Sequence, residues 1–172
     1  MNKRKEIKKE HERALLNNFL RWYNPEYEIV EEPDPPEAII KSGNKITWIE
    51  AVDVFLSGEY ARDEYSYATP KEMHIPMDPG PYINGDEQFA NHFVKVLKDK
   101  LTKPSYLPFK RKYEPGMLVI GMRSPFFDQQ TIDIMREKYQ AENWSDDLGC
   151  FEKIYITAEG YNPLEWCRLQ EN

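Results

Sequence analysis

Two cysteines, three histidines and no long apolar run in 172 residues exclude several classes of protein at once. Cys150 and Cys167 lack the CxxC or Cys/His spacings of a zinc site, and two thiols cannot build the disulfide framework of a small secreted domain. A bilayer-crossing helix needs about 20 consecutive apolar residues, and none of the runs approaches that. The opening MNKRKEIKKEHERALL is charged, with no apolar signal-peptide segment behind it. The expectation is a cytoplasmic protein with reduced thiols and no membrane partner. Net positive charge is missing too: the formal charge is −7, which opposes a chain that coats polyphosphate. Any nucleic-acid chemistry therefore requires cations concentrated locally. There is no Gly-rich phosphate loop, no Ser-nucleophile motif and no Cys–His signature. His11, His74 and His92 form no metal-spaced pair within one element; His92, beside Phe93, reads as structural, and His74, beside Pro76, as structural or substrate-facing.

Apolar residues make up 40% of the chain and aromatic residues 13%, enough to bury one core, so residues 1–172 read as a single domain. Ile7, Leu15, Leu16, Phe19 and Leu20 predict a helix over 4–22, ended by Asn24-Pro25. Segments 27–31, 38–41 and 45–54 read as a three-strand meander with a turn at Ser42-Gly43-Asn44. From 57 to 85 four prolines and four tyrosines suggest a Pro/Tyr-rich insertion without regular structure, a flap longer than an idle loop. Its Tyr60, Tyr65, Tyr67 and Tyr82 would either pack it onto the sheet or stack on unpaired bases. An amphipathic helix follows over 86–103, then an apolar strand at 117–122, a helix at 128–139 and a strand at 151–157. The fold class is α/β: a central mixed sheet, a meander of three strands plus two further strands, flanked by helices.

Cations do concentrate in one place. Residues 95–112 carry Lys95, Lys98, Lys100, Lys103, Lys110, Arg111 and Lys112 against Asp99 alone. Such a cluster is either a solvated face or a contact for phosphates, with Lys98 and Lys103 the candidate substrate-binding residues. The acids are more telling. Glu50 stands between Ile49 and Ala51 in a run that otherwise belongs to a core, and a buried carboxylate is costly unless paired or bound to metal. Glu37 opens the strand before the turn, so two acids meet across a hairpin. Glu12 precedes Leu15, Leu16 and Phe19 by three, four and seven residues and points along the core stripe of its helix. Lys100 follows Val96 and Leu97 by four and three residues, towards the buried face of its own helix.

With these residues in place, the segment EEPDPPEAIIKSGNKITWIEAVDVF resembles the PD-(D/E)xK, restriction-endonuclease-like, nuclease superfamily, over roughly residues 10–157. Pro36-Glu37 followed by Ala38-Ile39-Ile40 matches the acid-opened strand, with Asp34 of the literal Pro33-Asp34 as the alternative. Ile49-Glu50-Ala51-Val52 matches the second acidic strand, with Val52 where the family has lysine. The resemblance implies a restriction-endonuclease-like core, catalytic Glu12, Glu37, Glu50 and Lys100, and Mg²⁺ or Mn²⁺ held by Glu37 and Glu50. It also implies a nucleic-acid partner, DNA ahead of RNA, and admits a homodimer. The expected function is metal-dependent hydrolysis of phosphodiester bonds. The alternatives are a catalytically degenerate binding or interaction module on the same scaffold and, from the net charge, an acidic mimic of nucleic acid.

Overall fold

The computed structural model describes residues 3–69, 73–78, 83–142 and 148–166, with side chains from residue 5 onward. The chain runs α1 (Lys3–Tyr23), β1 (Glu28–Glu31), β2 (Ala38–Ser42), β3 (Lys45–Phe55), α2 (Gly58–Ala68), α3 (Gly85–Thr102), a single 3₁₀ turn at Pro104–Tyr106, α4 (Leu107–Tyr113), β4 (Gly116–Arg123), α5 (Gln129–Ala141), β5 (Phe151–Ala158) and β6 (Leu164–Glu165). All six strands form one sheet in the order β1-β2-β3-β4-β5-β6. The first three are antiparallel, β3, β4 and β5 are parallel, and β6 returns antiparallel. Parallel neighbours need crossovers, which α3 and α5 supply.

The two faces of the sheet bury different partners, and strand alternation assigns them. On one face Trp48 and Val54 of β3 with Leu118 and Ile120 of β4 pack under α3 and α5, through Phe89, Phe93, Leu97, Ile132 and Met135. On the other, Ile49 and Ala51 with Met117, Val119 and Tyr155 meet Leu15, Leu16, Phe19 and Leu20 of α1. Glu50 falls on the α3 face by this alternation and Asp53 on the α1 face. Helix α1 runs until Asn24-Pro25, where the Asn24 amide still donates to the Leu20 carbonyl.

The expected meander, amphipathic helix and two later strands are present, within a residue or two. Three elements differ. The stretch from 57 to 85 is not irregular throughout: Ser57 caps α2, accepting from the Tyr60 amide, and the helix completes before the first proline at position 70. The prolines that suggested disorder cluster after that helix, and Pro70, Pro79, Pro81 and Tyr82 lie outside the described residues. Pro104 ends α3 but starts the next turn, since proline suits a first helical position, so the basic cluster spans two helices. The sheet also has a sixth, two-residue strand, too short for periodicity to reveal. Among the described residues no helix is long and apolar enough to cross a membrane.

Candidate functional site

The cluster forms where the sheet changes width. Strand β2 pairs only with Lys45 to Ile49, whereas β3 continues to Phe55. Ala38 faces Ile49 as the last pair, and Glu37, the residue before β2, lies close enough to Glu50 at the corner of the step for their charges to interact. Lys100, from the last turn of α3, reaches across this corner and its ammonium contacts Glu50 Oε1. The Glu50 side chain is 3% exposed and that of Lys100 is 17% exposed, so the ion pair is largely out of water. Val52, two residues along β3, lies on the same face and packs into the core beneath α3. The cation absent from position 52 thus approaches the same face of the sheet from a helix.

Around this pair the charges crowd. Glu12 is buried on α1 and pairs with Lys8 at 3.3 Å. Burial raises its carboxyl above the usual range; Lys8 and Lys100 oppose the shift and Asp53 adds to it. The Glu37 carboxyl is pushed up to about 7, first by burial and then by Glu12, Glu50 and Asp34, against the pull of Lys100. For Lys8 burial works against the charge, but Glu12, Glu37 and Asp34 outweigh it and its ammonium sits above the ordinary lysine value. The four residues singled out from the sequence, Glu12, Glu37, Glu50 and Lys100, therefore lie within electrostatic reach of one another, although they come from α1, the start of β2, β3 and α3. Asp34 is exposed and joins them from the side.

Glu50 Oε2 and the Tyr106 hydroxyl are both buried, and the hydroxyl lies within hydrogen-bonding reach of the Glu50 carboxylate without ordinary hydrogen-bond geometry. Tyr106 stacks on Trp48, and burial followed by the nearby Glu50 charge pushes its hydroxyl far above the usual tyrosine range. A buried carboxylate oxygen whose donor is poorly aligned is costly, and a cation or a substrate donor relieves that cost. Among the described residues no group of three or more His, Cys, Asp or Glu side chains is arranged to hold a metal ion by itself. Magnesium is nevertheless commonly held by one or two carboxylates together with water and substrate phosphate, rather than by an all-protein cage. Glu50 Oε2 with Glu37 fits that donor set.

The remaining expectations scatter. Lys98 is exposed and its ammonium lies 3.7 Å from Glu142 of α5, away from the corner. Lys103 lies over the Tyr106 ring, 5.5 Å from its centre. Lys110 donates to the Gly149 carbonyl, a structural tie. His92 Nδ1 bonds the Phe55 carbonyl oxygen at 2.9 Å, and His74 Nε2 lies 2.6 Å from Asp63. Tyr65 is held between Phe55 and His11, whereas Tyr67 is exposed.

Sequence reasoning missed Lys8, Asp53, Tyr106 and Arg123. Asp53 is 3% exposed at its side chain and bonds Arg123 Nε at 2.9 Å, while its Oδ2 stays buried without a partner. An acid three residues beyond Glu50 was a usable signal; the arginine, 70 residues away, was not. Beside Glu12 a groove of about 510 Å³ is lined by Lys5, Lys8, Lys9 and Arg13 together with Glu6, Glu10, Glu12 and Asp34, so it carries charges of both signs. No protein-family model, no curated protein and no solved structure matches this chain, and the cluster is read on its own geometry.

Proposed function

We propose that this protein is a metal-dependent phosphodiesterase acting on nucleic acid. The observation that carries the reading is the Lys100–Glu50 pair, buried at the corner of the sheet within electrostatic reach of Glu37. A lysine beside two acids on adjacent strands is the constellation that the PD-(D/E)xK resemblance implies, with the lysine moved from position 52 to α3. The strand order lends further support: an antiparallel meander whose third strand leads through a helix into a parallel neighbour. Perturbed carboxyls crowded into one recess are also the pattern expected where charge is managed for chemistry.

In this reading Glu50, through Oε2, and Glu37 would hold Mg²⁺ or Mn²⁺, which when bound offsets charge on the phosphate and acidifies a water. Lys100 would orient the attacking water and offset the charge that grows on the phosphate oxygens; such preorganised donors contribute about 10²–10³ in rate. Glu12 backs the acidic wall from α1 and keeps Lys8 charged.

The test is incubation of purified protein with labelled single- and double-stranded DNA and RNA in Mg²⁺ or Mn²⁺, beside Glu50→Gln, Lys100→Met and a chelator control. Metal-dependent cleavage by wild type, lost in both variants, is the expected result. A second reading, a non-catalytic binding module, is favoured by one observation, that Lys100 already occupies Glu50 Oε1. Absence of cleavage on every substrate would overturn the enzymatic reading in its favour.

A further inference from the structure

At the carboxyl ends of β4 and β5, on the α1 face of the sheet, lies a cleft of about 580 Å³, comparable to the pockets that hold small-molecule ligands. Arg123 lines it. Asp53 fixes Nε, and Gly121 makes this possible: a Cβ there would lie 2.2 Å from Asp53 Oδ1. The two terminal guanidinium nitrogens have no hydrogen-bond partner among the described residues, so the fork that suits a phosphate is oriented by a buried carboxylate and left with open donors. Asn18, Thr157 and Asn162 line the same cleft, and none of their side chains is hydrogen-bonded among the described residues.

Two aromatic rings stand at its rim. Trp22 is 45% exposed and Tyr161 is 52% exposed, unusually open for residues of their size. Each is held by other rings. Trp22 lies edge-on to Tyr155, with centroids 6.0 Å apart, and Tyr161 edge-on to Phe127 at 5.9 Å. Glu159 also lines the cleft and sets a limit on how much negative charge it accepts. A held arginine fork, unused amides and exposed rings together suit one ligand chemistry, a phosphate joined to a flat heteroaromatic base.

We propose that this cleft binds a nucleoside phosphate unit, contributed by an unpaired strand that continues towards the acidic corner. Arg123 takes the phosphate, Trp22 and Tyr161 take the base, and Asn18 and Asn162 meet its polar edge. Along α1 the ten residues from Glu12 to Trp22 span about 15 Å. A unit held here is therefore separate from the one at the acids and is not itself the reacting one. Choosing a strand as the source of the ligand rests on the phosphodiesterase reading, whereas the cleft and its binding do not.

The experiment is calorimetric titration of the whole protein, in chelator, with adenosine monophosphate and separately with a short single-stranded oligodeoxyadenylate. Both ligands should bind, the oligonucleotide more tightly, and Trp22→Ala should weaken each by about tenfold. Arg123→Gln should weaken both and reduce the salt dependence of oligonucleotide binding. Because Arg123→Gln leaves Asp53 buried and unpaired, exposed Trp22 and Asn162→Ala keep the test decisive if that variant does not fold. Glu50→Gln should retain binding, so loss of cleavage with retained binding separates failure of the acidic corner from failure of the cleft. Binding of neither ligand, or binding indifferent to Trp22→Ala and Arg123→Gln, would overturn the site. Equal affinity for the mononucleotide and the oligonucleotide would overturn its assignment to a strand.

Discussion

Glu50 carries a cost that the rest of the fold has to meet. An acid in a core position next to Ile49 and Ala51 destabilises the chain unless a cation reaches it, and Lys100 is that cation. Removing one partner of a buried pair leaves an uncompensated charge, worth about 3–5 kcal/mol, whereas replacing both by apolar groups is often neutral or better. Lys100→Met should therefore destabilise the protein by about 3 kcal/mol, and Glu50→Met combined with Lys100→Met should recover most of that loss in denaturant unfolding. Additive losses in the double variant would mean that the two side chains do not form the pair. The double variant should also be inactive, which separates stability from chemistry at this position. Glu50 was legible in the sequence because an acid inside an apolar strand violates a local rule. Lys100 was legible because its helix has a clear stripe of Phe93, Leu97 and Leu101 beside which it stands. Arg123 broke no local rule at the end of its strand and gave no such signal.

Among the elements, β3 organises the site, since it carries Glu50 and Asp53 on opposite faces and pairs with both halves of the sheet. Its position against β4 depends on Gly116, where a Cβ would meet the Trp48 ring at 2.4 Å and the Trp48 carbonyl oxygen at 2.7 Å. Gly116→Ala should cost about 1–3 kcal/mol, because the ring is fully buried and a backbone atom cannot step aside. Thermal unfolding checks this, and an unchanged midpoint would show that the β3–β4 contact relaxes at no cost. Helices α1 and α3 were readable from spacing alone, their buried faces being long and regular. Helix α2 was not, because the prolines after it and the tyrosines within it masked a segment whose eleven residues contain no proline. Strand β6 has two residues and takes its place only because β5 offers an edge.

For the molecule as a whole, the crowded carboxyls tie stability to pH. In the fold Glu37 titrates at about 7, pushed up from an ordinary 4.5 mainly by burial, and Glu12 is raised as well. Between those limits the folded chain binds more protons than the unfolded one, so the contribution of Glu37 is fully present below about 4.5 and is lost as pH rises through about 7. In chelator, Glu37→Gln should therefore gain stability relative to wild type between about pH 5 and pH 8. Unfolding curves for the two proteins that stay parallel across this range would overturn the assignment. A net charge of −7 runs in the same direction, since each further ionisation adds to a molecule already negative. Period, capping and turn chemistry are properties of neighbours in the chain, which is why the order of residues by itself determined the α/β class, the meander and the suspicion attached to Glu50. The approach of Glu37 to Glu50, the Asp53–Arg123 pair and the cleft above it depend on strand register and on charges meeting through space. Those were decided by packing alone, because local pattern constrains which face a side chain takes but not which distant residue it will find there.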